Sequence, residues 1–366
     1  MDDTVALNAA HRRDSLRSMT EQRLDILVVG GGIVGAGCAL DAATRGLRVG
    51  LVEAGDIAAG TSSRSSKLIH GGLRYLEMLQ FRLVGEALKE RGLLLHDLAP
   101  HLVRPVPFLY PLKHRGWERL YAGAGVALYD ALARAAGRSR RLPSHRHLSR
   151  ARALKLAPSL RRDSLVGALQ YYDAQVDDAR FTMFVARTAA THGAAIATRT
   201  RATSLLREGG RVTGAIVQDR LTGKLHTIHA RHVVLATGVW SGDLLSSGPA
   251  PDAVQVRASK GIHLVVPGTA IQSDTGLILR TEHSVLFVIP WGENWIIGTT
   301  DTDWTGDRAH PAAQAGDISY LLATINSVLC EPVTTDDIIG VYTGLRPLVA
   351  GKAEHTAKLS REHVVV

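Results

Sequence analysis

The chain has 366 residues, 45% hydrophobic and 21% charged, a balance that supports a packed core and excludes wholesale disorder, collagen and coiled coil. Its net charge of +9 is concentrated: residues 113–162 hold thirteen Lys or Arg against Glu118 and Asp130, an excess of +11 that leaves the rest of the chain at −2. Two widely separated cysteines, Cys38 and Cys330, exclude a disulfide framework and a thiolate zinc site. With no uncharged apolar run of membrane-spanning length and no signal-peptide core, the expectation is a cytoplasmic protein or one on the cytosolic face of a membrane.

Residues 1–23 read as a mobile polar extension, since no apolar periodicity runs through them. From Leu24 the run LDILVVG is the pattern of a strand buried on both faces; IVGAGCALDAATRGL then has small and apolar residues at helical spacing and closes at Gly46, and RVGLVE reads as a second strand. Strand, glycine turn, helix and strand within about 30 residues form a βαβ unit. The Gly- and Ser-rich stretch GDIAAGTSSRSSKLIHGGLRYLE reads either as a ligand-facing loop or as a flexible surface loop. Residues 81–135 are predicted mostly helical around the extended, Pro-rich RPVPFLYPL, and the basic segment overlaps the second of these helices. HVVLATG repeats the strand-to-turn pattern. Beyond Pro251 the texture changes to strands separated by turns, KGIHLVVP, SVLFVIPWG and NWIIGTTD, so a second, antiparallel sheet is expected there, followed by a helix near Ile318–Leu329 and a strand near Ile338–Tyr342.

Gly30, Gly32 and Gly35 make a G-x-G-x-x-G directly after a strand and at the start of a helix. The first permits the tight turn, the second lets a pyrophosphate approach the backbone and the third allows close helix–strand packing, while the helix N-terminus favours the anion. Glu53, at the end of the second strand, is placed to accept hydrogen bonds from an adenosine ribose. FAD is favoured over a nicotinamide cofactor, because the Ser-rich loop and the later Ala236-Thr237-Gly238 turn would wrap a retained dinucleotide. Arg74, Arg346 and Arg361 stand out by placement as candidates for an anionic substrate, with Lys260 as a further cation. His263 reads either as a base for a hydroxyl proton or as a hydrogen-bonded core histidine. Asp301 and Asp303 read as turn or strand-end residues, and no metal site is expected.

Together, GGGIVGAGCALDAATRGLRVGLVE, TSSRSSKLIHGGLRYLE, VDDAR, RTRATS, ATGVW, FVIPWG, IIGTTD and GLRPL resemble the FAD-dependent, quinone-linked glycerol-3-phosphate dehydrogenases in order and spacing, from Asp25 to Val366. The resemblance implies an α/β fold: an FAD-binding Rossmann-like domain of the glutathione-reductase/D-amino-acid-oxidase type (24–80, 166–248 and 341–366) with an antiparallel-sheet substrate domain (81–165 and 249–340). It implies oxidation of sn-glycerol 3-phosphate to dihydroxyacetone phosphate, with electrons passing to membrane quinone. By the same resemblance Arg346 and Arg361 bind the phosphate, Arg74 and Tyr75 line the flavin and substrate pocket, and the flavin lies against Thr61, Ser62, Ser66, Lys67, His70, Gly71, Ala202, Ala236, Thr237, Gly238 and Trp240. It implies a peripheral protein on the cytosolic face of the inner membrane, with residues 113–162 facing anionic lipid and a homo-oligomer compatible with the pattern. The family continues beyond SREHVVV with a glycine-rich segment and a helical domain, so the chain reads as truncated. The rival readings are a glycerol-3-phosphate oxidase, a related 2-hydroxy or amino acid oxidoreductase, and a non-catalytic remnant. Nucleic acid is not an expected partner, because the basic stretch lacks interleaved stacking aromatics.

Overall fold

The computed structural model describes residues 5–114, 116–135, 142–245, 256–281 and 285–349. Its first sheet has six strands, in the spatial order Ala195–Ala197, Val49–Val52, Leu24–Val29, Leu225–Leu235, Arg211–Asp219 and Thr200–Glu208. The first four are parallel and the remaining pairings antiparallel. Taking the parallel strands in chain order, the arrangement is third, second, first, fourth, so the winding reverses between Leu24–Val29 and Leu225–Leu235. Ligands of open α/β sheets bind in the crevice at that reversal, beyond the carboxyl ends of the strands. Gly30 and Ala236 each follow one of these two strands.

Alternation along the buried strands explains the covering layers. Val28, Leu51 and Ile196 point to one face, under the helices Ile33–Thr44 and Asp178–Thr191. Leu27, Val29, Val52 and Ala197 point to the other, where the helix Ala9–Glu21 lays Leu16 and Met19 upon them. The expected mobile extension is thus corrected, over Ala9–Glu21, to a packed helix, while residues 1–4 lie outside the described residues. Its buried face carries Arg12, Ser15, Leu16 and Met19, and the two polar members hide the apolar period. Arg12 tolerates burial because its charge is paired: its guanidinium donates to the Thr198 carbonyl at 2.7 Å and pairs with Asp219.

The second sheet has ten strands and is antiparallel apart from one short contact between Gly276–Arg280 and Val103–Leu112. Pro105, Pro107 and Pro111 all stand at odd positions of Val103–Leu112, so every missing N–H falls on one side. That side meets Gly276–Arg280 at two residues only, whereas the other side pairs along its whole length with Gly167–Val176. One face of this sheet, including Ile262, Leu264, Leu277 and Ile297, packs on the helix Ala315–Asn326. The opposite face, with Phe108, Tyr171, Ile278 and Ile289, packs on the helices Arg74–Glu77, Phe81–Leu93 and Trp117–Ala135. Gly167–Val176 and Gly340–Val349, grouped by sequence with the dinucleotide half, both hydrogen-bond into this larger sheet.

Candidate active site

The glycine turn is built as its spacing predicts. Gly30 has φ +112°, and a Cβ there would stand 2.4 Å from the Ala236 carbonyl oxygen; a Cβ on Gly35 would stand 1.9 Å from the carbonyl oxygen of Gly30. Side chains at either position would fill the crevice or force the helix off the strand. Glu53 accepts from the Gly31 and Gly55 N–H groups, both at 2.6 Å, one on each carboxylate oxygen. Each oxygen keeps lone-pair capacity for ribose hydroxyls. These residues fit the adenosine and pyrophosphate of FAD: a bare-backbone cradle at the N-terminus of Ile33–Thr44, closed by Ala236 and flanked by an acidic acceptor.

The Ser-rich loop is ordered by partners distant in sequence. Ser62 Oγ accepts from the Ile33 N–H at 2.9 Å, at the start of the fingerprint helix, and Thr61 Oγ1 donates to the Leu345 carbonyl at 2.6 Å. Ser65 donates through both its N–H and its hydroxyl to Asp178, which also pairs with Lys67. Within VDDAR it is Asp178 that orders this loop, which composition alone could not single out. Trp240 packs near Gly60, the residue before this loop, and Thr237 and Gly238 form the turn that follows Ala236. Ala202 lies in Thr200–Glu208, packed on the core of the first sheet rather than beside the glycine turn, though Thr200 two residues earlier donates to the Glu53 carbonyl at 2.8 Å.

A cleft between this loop and the larger sheet is lined by Ser66, His70, Tyr75, Asp173, Thr299, Thr300, Asp301 and Arg346, among others. Gly72 brings Tyr75 into it: φ is +70° and a Cβ would strike the tyrosine ring at 2.2 Å. Gly71, just before, is buried with its N–H on the Tyr129 hydroxyl. The backbone of Arg74 begins the helix Arg74–Glu77 at the same edge, and its side chain is outside the described residues, as is the whole of Arg361.

Three facing pairs on two neighbouring strands bring a histidine and an arginine together. His263 and Arg346 belong to adjacent antiparallel strands, Val256–Pro267 and Gly340–Val349, where Ser259 faces Arg346, Gly261 faces Gly344 and His263 faces Tyr342. All six share one face. Gly261 must lack a side chain, because a Cβ would lie 2.7 Å from Arg346 Nη2 and 2.4 Å from Thr299 Oγ1. A glycine inside a strand is the signal for such a close approach. The Arg346 guanidinium donates to the Thr300 carbonyl and to Thr299 Oγ1, each at 3.2 Å, with Asp301 Oδ1 at 3.8 Å. Asp301 also accepts from the Ser259 hydroxyl, so it belongs to the arginine's setting and not merely to a turn.

Lys260, expected as a substrate-binding cation, is corrected away from the cleft. Three residues from His263 on a strand means the opposite face, and there Lys260 is buried against Asp317 at 2.6 Å under the helix Ala315–Asn326. His263 itself is buried, stacks on Tyr342 with centroids 4.6 Å apart, and shares a 2.8 Å hydrogen bond between Nε2 and Ser66 Oγ. Its Nδ1 is buried and has no hydrogen-bond partner among the described residues. Burial first, then the charges of Arg346 and Lys67, pull its pKa from the ordinary 6.5 down to about 3.

That shift has a measurable sign. Between pH 6.5 and about 3 the unfolded chain binds a proton that the folded chain refuses, so stability falls on acidification, by up to about 1.4 kcal/mol per pH unit. His263→Asn should flatten the slope over that window in urea melts taken at a series of pH values. An unchanged slope would contradict a buried neutral His263.

Among known proteins, the profile of the family described as FAD dependent oxidoreductase matches residues 25–365. The chain is 57% identical over 361 residues to glycerol-3-phosphate dehydrogenase 2 of Mycobacterium tuberculosis (strain ATCC 25618 / H37Rv), covering 99% of this chain and 61% of that protein. It is 41% identical over 359 residues to the mitochondrial glycerol-3-phosphate dehydrogenase of Homo sapiens, covering 93% and 48%. It superposes on the glycerol-3-phosphate dehydrogenase from Bacillus halodurans complexed with FAD with a TM-score of 0.73 and 33% identity, over 93% of this chain and 60% of that one. The chain therefore spans less than two thirds of the length of these relatives. The cradle at the sheet reversal and a profile match running through both sheets lead to one conclusion: the chain belongs to the FAD-dependent oxidoreductase family.

Proposed function

We propose that this chain carries the flavin and substrate sites of a glycerol-3-phosphate dehydrogenase, oxidising sn-glycerol 3-phosphate at C2 to dihydroxyacetone phosphate. The observation that carries this reading is the pairing, on adjacent strands and across Gly261, of Arg346 at the cleft with a buried neutral His263 that meets the cleft through Ser66. When bound, FAD supplies the hydride acceptor. Gly30, Gly32, Gly35, Glu53 and Ser62 would hold its dinucleotide end. Arg346 offers charge-assisted donors to an anionic oxygen of the substrate, with Arg361 the second phosphate cation expected from the resemblance. His263, neutral at working pH, takes the C2 hydroxyl proton at Nε2 through the Ser66 hydroxyl, which lines the cleft and passes its own proton on as it accepts the substrate's. A phosphate dianion beside Arg346 would cancel part of the positive field that depresses His263, raising its basicity as substrate arrives. Anaerobic addition of glycerol 3-phosphate to the FAD-loaded chain should bleach the flavin's visible band; a band untouched by substrate would overturn the reading.

The surface supports a bilayer-facing role with quinone as electron acceptor. Trp117, Leu120, Tyr121 and Leu128 form an exposed apolar stripe on the helix Trp117–Ala135, and the Tyr121 hydroxyl donates to Glu77, which brings exposed Met78, Leu79 and Phe81 alongside. Exposed Lys113, Arg82 and Lys89 flank it. No helix among the described residues is long and apolar enough to cross a membrane, so contact would be interfacial. Leu120→Glu should weaken co-flotation with anionic vesicles about tenfold, the equivalent of losing one buried leucine side chain. Flotation equal to the parent chain would count against this face.

A further inference from the structure

A second cluster of ionisable groups is buried behind the cleft wall, outside the chemistry described above. Arg91, Tyr129 and Asp173, each no more than 3% exposed, come from Phe81–Leu93, Trp117–Ala135 and Gly167–Val176. Arg91 Nη1 donates to Asp173 Oδ1 and, at 3.1 Å, to the Tyr172 carbonyl. The Tyr129 hydroxyl donates to the same carboxylate oxygen at 2.7 Å and accepts the Gly71 N–H at 2.7 Å. Gly71 cannot carry a side chain here, because a Cβ would stand 2.8 Å from the Tyr129 hydroxyl and 2.5 Å from Leu88.

Buried ion pairs are weak evidence for stability, since an apolar trio of similar volume is often as good. What this trio produces is directional. Asp173 takes the single phenolic proton, so the hydroxyl can only accept from its other neighbours, closely from the Gly71 N–H at 2.7 Å and distantly from Arg91 Nη1 at 3.5 Å. Burial and the neighbouring Asp173 charge push the phenol well above its ordinary range, so the donor is never lost near neutral pH. Gly71 starts the turn through Gly72 that sets Tyr75 on the cleft, and Asp173 itself lines that cleft.

We propose that Tyr129 is a positioning residue: through the Gly71 N–H it fixes the 71–75 turn against the flavin and substrate site, an inference that rests on the reading of that cleft given above. Tyr129→Phe keeps the ring and removes the acceptor. Val126→Ala, one turn earlier on the same buried helix face and outside the network, is the packing control. Both should lower the melting temperature. Only Y129F should raise the FAD dissociation constant, by about tenfold for one lost buried hydrogen bond, reshape the bound flavin's absorption band, and speed amide exchange at residues 70–76 of the cofactor-free chain. Y129F matching V126A in FAD affinity, flavin band and exchange would overturn the proposal. Should Y129F fail to fold, exchange in the parent chain decides: the Gly71 amide, held on the buried Tyr129 hydroxyl, should exchange far more slowly than the amides of exposed Met78 and Leu79, and a Gly71 amide exchanging as fast as those would overturn the proposal. A parent chain that binds no FAD would count against the function proposed above, while the exchange comparison would still decide the role of Tyr129.

Discussion

Gly35→Ala should abolish FAD binding at concentrations that saturate the parent chain. The added methyl would stand 1.9 Å from the Gly30 carbonyl oxygen and 3.0 Å from its carbon, and neither is the end of a flexible side chain that can swing away. The helix Ile33–Thr44 would have to lift from the strand Leu24–Val29, carrying its N-terminal N–H groups away from the pyrophosphate position. Overpacking of this kind costs about 3 kcal/mol, or roughly a hundredfold in affinity if the strain falls on the binding geometry. Gly37→Ala is the matched control. A Cβ at Gly37 meets nothing within 4 Å, so that variant should bind FAD normally and gain up to about 1 kcal/mol from helix propensity. Fluorescence titration with FAD separates the two; equal affinities would mean that the glycine turn does not form the cofactor cradle.

Arg346→Gln should lower the apparent affinity for glycerol 3-phosphate about a hundredfold or more while leaving FAD binding near that of the parent. The guanidinium is held by backbone and hydroxyl partners at Thr300 and Thr299 with Asp301 nearby, so it is oriented before the substrate arrives. Hydrogen bonds to charged groups are worth about 1.5–3 kcal/mol each, and the planar fork offers two in parallel. Lysine should not rescue, because a point charge does not reproduce the fork. The same substitution removes one of the charges that depress His263, so R346Q should also narrow the pH window of acid destabilisation, lifting its lower edge while its upper edge stays near pH 6.5. Substrate affinity unchanged in R346Q would take the arginine out of the site.

The parts of this protein that could be read from its residues are those in which a ligand or a turn is built from contiguous chain. Gly30, Gly32, Gly35 and Glu53 lie within one βαβ unit, and their spacing carries the geometry of the turn they build. Contacts closed by distant strands were not readable in that way. Nothing local tells that Asp178 orders the Ser65–Lys67 loop, or that Gly261 is vacant so that Arg346 can cross it. Lys260 was grouped with His263 by proximity, although the period of a strand sends residues three apart to opposite faces. The helix Ala9–Glu21 was missed because half of its buried face is polar, with Arg12 satisfied by Asp219 more than 200 residues away.

The most direct test of the central claim is an anaerobic titration of the FAD-loaded chain, first with glycerol and then with glycerol 3-phosphate. The account predicts that glycerol leaves the flavin oxidised, that glycerol 3-phosphate bleaches it, and that R346Q requires far more substrate for the same bleaching. Bleaching by glycerol and glycerol 3-phosphate alike, or by neither with FAD firmly bound, would contradict a phosphate-selecting site at Arg346 and His263.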